Sequence, residues 1–152
     1  MFAADSQRPP KLYQHGERQI LERSLSEGEF RLLPAAAENY LVLSFAATWD
    51  PASFDRIPGA DCCLLIHNPE EFGERLHRAA QKMLPTWAGI DAAIAYGTPS
   101  PLGKAFSKSR QAADEKEWLF AWRPTQATTS IRPLVIRIGS IETIAELRMK
   151  DG

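Results

Sequence analysis

The sequence predicts one domain of the mixed α+β class, and three observations carry that expectation. The 152 residues are enough to bury a core without disulfide or metal staples. Hydrophobic residues make up 44% and charged residues 24%, close to the globular average and far from disordered or membrane compositions. Segments with helical and with strand periodicity are interleaved along the chain. There is no internal repeat and no linker dividing residues 11–152, while residues 1–10, ending in Pro9-Pro10, read as a disordered tail.

Lys11 to His15 is a short extended segment, and Gly16 releases the backbone into a helix from Glu17 to about Glu27 with Ile20, Leu21 and Leu25 as its apolar stripe. Gly28 stands where a left-handed cap ends a helix, and Glu29 to Leu33 then alternates as a strand until Pro34. Tyr40 to Phe45 reads as a buried strand, and Ala46 to Ala60 as a loop with one helical turn. Cys62 to His67 is the next strand. Asn68, Pro69, Glu70 and Glu71 open a helix with a capping side chain, a proline in the first turn and acids near the positive dipole end. Its buried face is expected to carry Phe72, Leu76, Ala80 and Met83. Ile90 to Tyr96 is a strand, Gly97 to Asp114 an irregular loop, and Trp118 to Trp122 a strongly apolar strand. A turn-rich link with Pro124 and Pro133, a strand from Leu134 to Ile138, and a closing helix begun by Ser140 complete the order.

The formal net charge of -1, from 18 basic and 19 acidic residues, gives no global field toward nucleic acid or anionic lipid. Neither a secretory leader nor an apolar stretch of membrane-spanning length is present, so a cytoplasmic protein is expected. Cys62 and Cys63 are adjacent, point to opposite faces of a strand and so do not pair with each other, which fits a reducing compartment. Cys63 and His67 share a strand face, yet no second ligand pair has the spacing a structural zinc needs, and no metal is expected.

Phosphate-cradling glycine loops and the esterase elbow are absent. The most informative feature is Glu115-Lys116-Glu117 running into the Trp118 strand. At strand spacing both carboxylates fall on one face, a pattern suited to stabilising positive charge. His15 ends the first strand before Gly16, where an imidazole can project over a ligand and the glycine permits close backbone approach, although a lone histidine in such a place is more often structural. His77 reads as a boundary side chain, Trp118 and Trp122 as core, and Trp49 as a loop aromatic free to stack on a planar ligand. Lys104, Lys108 and Arg110 make the Gly97 to Asp114 loop basic, fit for a pyrophosphate or an acidic partner or simply solvated.

Leu12 to Arg18 and Leu25 to Pro34 together resemble the opening of the ADP-ribosyltransferase superfamily, whose diphtheria-toxin and poly(ADP-ribose) polymerase branch has a similar His-Gly, helix, Gly, strand start. Leu43-Ser44-Phe45-Ala46 lies where that branch has a Tyr-Phe-Ala-like strand, and Glu115-x-Glu117 is similar to the superfamily's Gln/Glu-x-Glu motif. The resemblance implies a split β-sheet core with two to four flanking helices and NAD as substrate. It implies NAD bound by His15, which holds the ribose, and by Gly16 and Ser44, with Glu117 on the ribose 2′-hydroxyl and Glu115 orienting or deprotonating an acceptor met by the 97–114 loop. Ser44 replaces the branch's tyrosine, as in the Arg-Ser-Glu branch, so nicotinamide stacking falls to Tyr40 or Trp49; Glu17 replaces the usual Ser or Thr after His-Gly. The implied activity is mono-ADP-ribosyl transfer or NAD glycohydrolysis. Two other readings stay open: an immunity or inhibitor-type partner binder that docks through the acidic pair and basic loop, and a transferase fold that has lost catalysis.

Overall fold

The structure, a computed structural model, describes residues 11–35, 39–126 and 130–150; the tail expected over residues 1–10 lies outside them. In chain order the elements are β1 (Leu12–Gly16), α1 (Arg18–Glu27), β2 (Glu29–Pro34), β3 (Leu41–Ala46), α2 (Ser53–Arg56), β4 (Cys62–Ile66) and α3 (Pro69–Met83). Then follow β5 (Trp87–Ala93), β6 (Ala95–Tyr96), β7 (Ser107–Lys108), β8 (Glu117–Pro124), β9 (Leu134–Arg137) and β10 (Ala145–Met149). Short 3-10 turns at Lys104–Phe106 and Arg110–Glu115 flank β7. The architecture is mixed α+β, built on a mostly antiparallel sheet. Among the described residues no helix is long and apolar enough to cross a membrane.

The sheet forks at β3. One edge of β3 pairs with β8 over its full length, from Leu41 opposite Trp122 to Ala46 opposite Glu117. The other edge is shared: its start pairs with β2 at Leu41 and Val42, and its end pairs with β1 through Ala46 and Tyr13. β1 continues to β4 and β10, β2 to β9, and β8 to β5.

Strand alternation then sorts the side chains onto two faces. Leu12, Leu43, Phe45, Cys62, Leu64, Phe120 and Trp122 enter one core, covered by Leu21 of α1 and by Phe72, Leu76 and Ala80 of α3. The opposite face carries two smaller clusters. Cys63 and Leu65 pack with Phe54 and Ala60 in one, and Leu119 and Ala121 pack with Ile94 and Phe106 in the other. The adjacent cysteines thus serve different clusters, and burial first, then the neighbouring Cys62, pushes the Cys63 thiol up to about 12.

Gly28 caps α1 at φ +66°, its N–H reaching the Ser24 carbonyl at 3.0 Å, and the Asn68 side chain caps α3 by accepting from the Glu71 N–H at 3.1 Å. Three expectations are corrected. Ile20 is 61% exposed, so the apolar stripe of α1 rests on Leu21 and Leu25. Met83 is 56% exposed, and Leu84 packs on the core in its place. The segment after Ser140 turns and returns as β10 rather than closing as a helix. The fully buried β4 needs backbone partners on both edges, and β10 satisfies the outer one from Ala145 opposite Ile66 to Met149 opposite Cys62.

Candidate functional site

Register builds the site. Tyr13, Ala46 and Glu117 stand in line across β1, β3 and β8. Residues opposite one another share a face, as do residues two apart on one strand. His15, Ser44 and Glu117 therefore emerge together on the face away from the main core. They line one cleft of about 380 Å³, joined by Glu115 and by Arg56 of α2. Four of the residues singled out in the sequence, His15, Ser44, Glu115 and Glu117, thus meet at one place.

Glu117 is held on three sides. The Ser44 hydroxyl donates to its Oε2 at 2.6 Å, the Lys108 ammonium donates to its Oε1 at 2.5 Å, and its backbone N–H donates to the Tyr96 hydroxyl oxygen at 2.9 Å. Tyr96 and Lys108 face each other in the parallel β6–β7 pair, so both reach Glu117 from one short ladder. Lys108 also reaches Glu115 Oε1 at 3.4 Å. The two carboxylates differ in setting: the Glu117 side chain is 12% exposed and that of Glu115 is 52%. Partial burial works against the charge of Lys108, but its bonds to Glu117 and Glu115 outweigh that and raise its pKa, so it sits there as a cation.

The two glutamates do not alternate on one strand. Glu115 ends a 3-10 turn, Lys116 takes the left-handed conformation at φ 45°, and β8 begins only at Glu117. Their convergence comes from the turn and from Lys108 between them. The cation that the acidic pair faces is a side chain of this protein.

His15 is wedged between aromatic rings, stacked on Trp49 at 5.5 Å between centroids and edge-on to Phe54 at 4.6 Å. Burial lowers its pKa, with Asp50 opposing and Arg56 reinforcing, so the ring is held neutral. Its Nε2 is buried and has no hydrogen-bond partner among the described residues, so a ligand hydroxyl reaches it only if a neighbouring side chain moves.

Trp49 is not free as expected: its ring is engaged by His15 and by the Arg148 guanidinium, 5.9 Å from its centroid. Tyr40 lines a different cavity, of about 450 Å³, with Pro101, Gly103 and Phe106. It precedes β3 at the end away from the cleft, four residues from Ser44, roughly 13 Å at strand rise. Gly16 closes β1 opposite Cys62, and a Cβ there would meet Leu21 at ordinary contact distance. His67 faces Glu146 at 3.1 Å, and no group of three potential metal ligands occurs among the described residues.

Sequence reasoning did not find Arg56, Tyr96 or the seating of Lys108. Arg56 binds Asp114 at 2.7 Å and Asp50 at 3.3 Å, tying the loop after β3 to the turn that carries Glu115. No periodicity announces contacts made between two loops; only the basic composition of residues 104–110 marked that region. His77 was passed over too: it bonds Asp91 at 2.7 Å and accepts from the Trp122 indole at 3.1 Å. No protein family, curated protein or solved structure matches the chain.

Proposed function

We propose that this protein is an ADP-ribosyltransferase-like enzyme that takes NAD as substrate in the cleft between His15 and Glu117. One observation carries the reading: His15, Ser44 and Glu117, on three neighbouring strands, share a face and a single cleft. A volume of about 380 Å³ suits a nucleoside-sized group, leaving the rest of the dinucleotide outside. His15 lines the cleft, and its neutral ring adds no positive charge beside the reacting carbon.

Cleavage of the nicotinamide–ribose bond sends the bonding electrons out with nicotinamide and leaves oxocarbenium charge on the sugar. Glu117, fixed by the Ser44 hydroxyl, holds its carboxylate for that charge, an interaction stronger in the transition state than in the ground state. The more exposed Glu115 takes the proton of the attacking acceptor or water as the new bond to the sugar forms.

The test is NAD consumption with transfer of labelled ADP-ribose, together with the shift of melting temperature under excess NAD. Glu117→Gln is expected to lower turnover by about a hundredfold or more, the loss seen when one transition-state electrostatic contact is removed. Absence of NAD consumption and labelling, with Glu117→Ala indistinguishable from the parent, refutes the reading. The Lys108 ammonium on both glutamates favours a second reading, a transferase fold kept without turnover. That reading requires that Lys108→Met also leave NAD untouched.

A further inference from the structure

The loops on the far side of Lys108 form a second hollow, of about 590 Å³, that shares no lining residue with the cleft. Its polar lining consists of Thr98, Ser100, Lys104, Ser107, Lys108 and Ser109, and the rest is glycine and proline. No carboxylate lines it. The hydroxyl oxygens already act as acceptors within the loop: Ser107 Oγ from the Ser100 N–H at 2.7 Å, Ser100 Oγ from the Leu102 N–H at 3.1 Å, and Ser109 Oγ from the Gln111 N–H at 3.2 Å. Those three hydroxyl protons donate to no described atom, and the Lys104 ammonium has no hydrogen-bond or ion-pair partner among the described residues. The hollow thus presents three unspent O–H donors and two ammonium groups, and its side-chain acceptors are largely used. Such a surface suits a ligand that only accepts hydrogen bonds and carries negative charge.

The geometry points to a phosphoryl-binding site in the hollow between Thr98 and Ser109, with Lys108 shared between a bound phosphoryl group and the Glu115–Glu117 pair. Lys108 both lines the hollow and bonds the carboxylates of the cleft, so one ammonium serves two sites of opposite need. An anion in the hollow competes with Glu117 for it. The anion site stands on the hollow's own donors; only the consequence, that occupation unmasks Glu117 for catalysis, rests on the transferase reading above.

Calorimetric titration of the full chain with inorganic pyrophosphate tests this. The parent is expected to bind, and Lys104→Met to weaken binding by about tenfold, the loss of one charge-assisted contact. Glu117→Gln, which removes the competitor for Lys108, is expected to tighten binding up to about fivefold, the worth of a half-exposed ion pair. No heat or melting shift with the parent at millimolar pyrophosphate overturns the site, as does a folded Lys104→Met that binds like the parent. Glu117→Gln binding no tighter than the parent overturns the sharing of Lys108. Repeating the titration with NAD present identifies the source: competition assigns the hollow to the diphosphate of NAD, and independent binding assigns it to a phosphorylated acceptor. Pyrophosphate binding that survives in a protein inert toward NAD leaves the site standing and removes the transferase reading alone.

Discussion

Asp91 terminates a chain of donors that fixes β8 one residue beyond Glu117, and Asp91→Asn is expected to break it although the side chain keeps its shape. The Trp118 indole donates to Asp91 Oδ1 at 3.0 Å, and His77 Nε2 lies 2.7 Å from Oδ2. The Trp122 indole, which can only donate, points at His77 Nδ1 at 3.1 Å. Nδ1 must therefore carry the lone pair and Nε2 the proton, so Asp91 receives two N–H groups and offers none. An asparagine has one acceptor and one amide donor. Whichever way it turns, its NH₂ opposes either the Trp118 or the His77 N–H, and changing the His77 tautomer only moves the conflict to Trp122. A hydrogen bond to a charged group contributes about 1.5–3 kcal/mol when buried. The Asp91 and His77 side chains are 26% and 29% exposed, so water recovers part; Asp91→Ala loses both bonds, and Asp91→Asn loses one and sets its amide N–H against that donor, each costing about 2–3 kcal/mol. For a chain of this length that lowers the melting temperature by roughly 5–10 °C. Thermal and urea unfolding of Asp91→Asn and Asp91→Ala measure it. Both variants within about 0.5 kcal/mol of the parent, the range of an ordinary surface substitution, would refute the network.

Two glycines at positive φ are expected to respond unequally to alanine. In Gly28→Ala the new Cβ would fall 2.0 Å from the Gly139 carbonyl oxygen, so backbone must move, and a loss of about 3 kcal/mol or more in urea unfolding is expected; Gly139→Ala, at φ +80° with open space, should lose only about 1–2 kcal/mol. The lowered pKa of His15 makes stability fall with acid. Between the ordinary value of 6.5 and its lower folded value the unfolded chain binds a proton that the folded chain does not, so stability drops as pH falls through that window and then levels off. His15→Phe should flatten the urea midpoint between about pH 7 and 5 relative to the parent; an unchanged slope would mean that another group is responsible.

What was legible in the sequence follows from how locally each signal is encoded. Asn68-Pro69 with Glu71 sets the start of α3 through bonds within four residues, and Gly28 ends α1 through its own φ; both stand where the sequence puts them. The last strand carries no such mark. Ala145, Leu147 and Met149 alternate, but five residues of alternation do not overrule a helical opening at Ser140 until the unpaired edge of β4 is known. The site divides in the same way. His15, Ser44, Glu115 and Glu117 are visible as residue types at strand ends, while their meeting depends on β3 pairing with β1 through its last residue and with β8 along its whole length. Tyr40 lines a cavity other than that of Ser44, and its position relative to Ser44 is likewise a matter of strand length and not of composition.

The chemistry of the cleft turns on a residue outside its strands. Its two glutamates share Lys108, while Arg56 in the same cleft is held by Asp50 and Asp114. A carboxylate closed by an ammonium has little left for a developing sugar cation: at an effective dielectric of about 20, opposite unit charges 4 Å apart attract by about 4 kcal/mol, which the ammonium and the substrate would have to share. Substrate alone offers weak leverage on Lys108, because positive charge on the sugar develops only as its bond breaks. The displacing agent must act earlier and must attract a cation. The donor-lined hollow beside Lys108 offers an anion such a place outside the cleft, so the proposed transferase activity would run anion first and bond cleavage second.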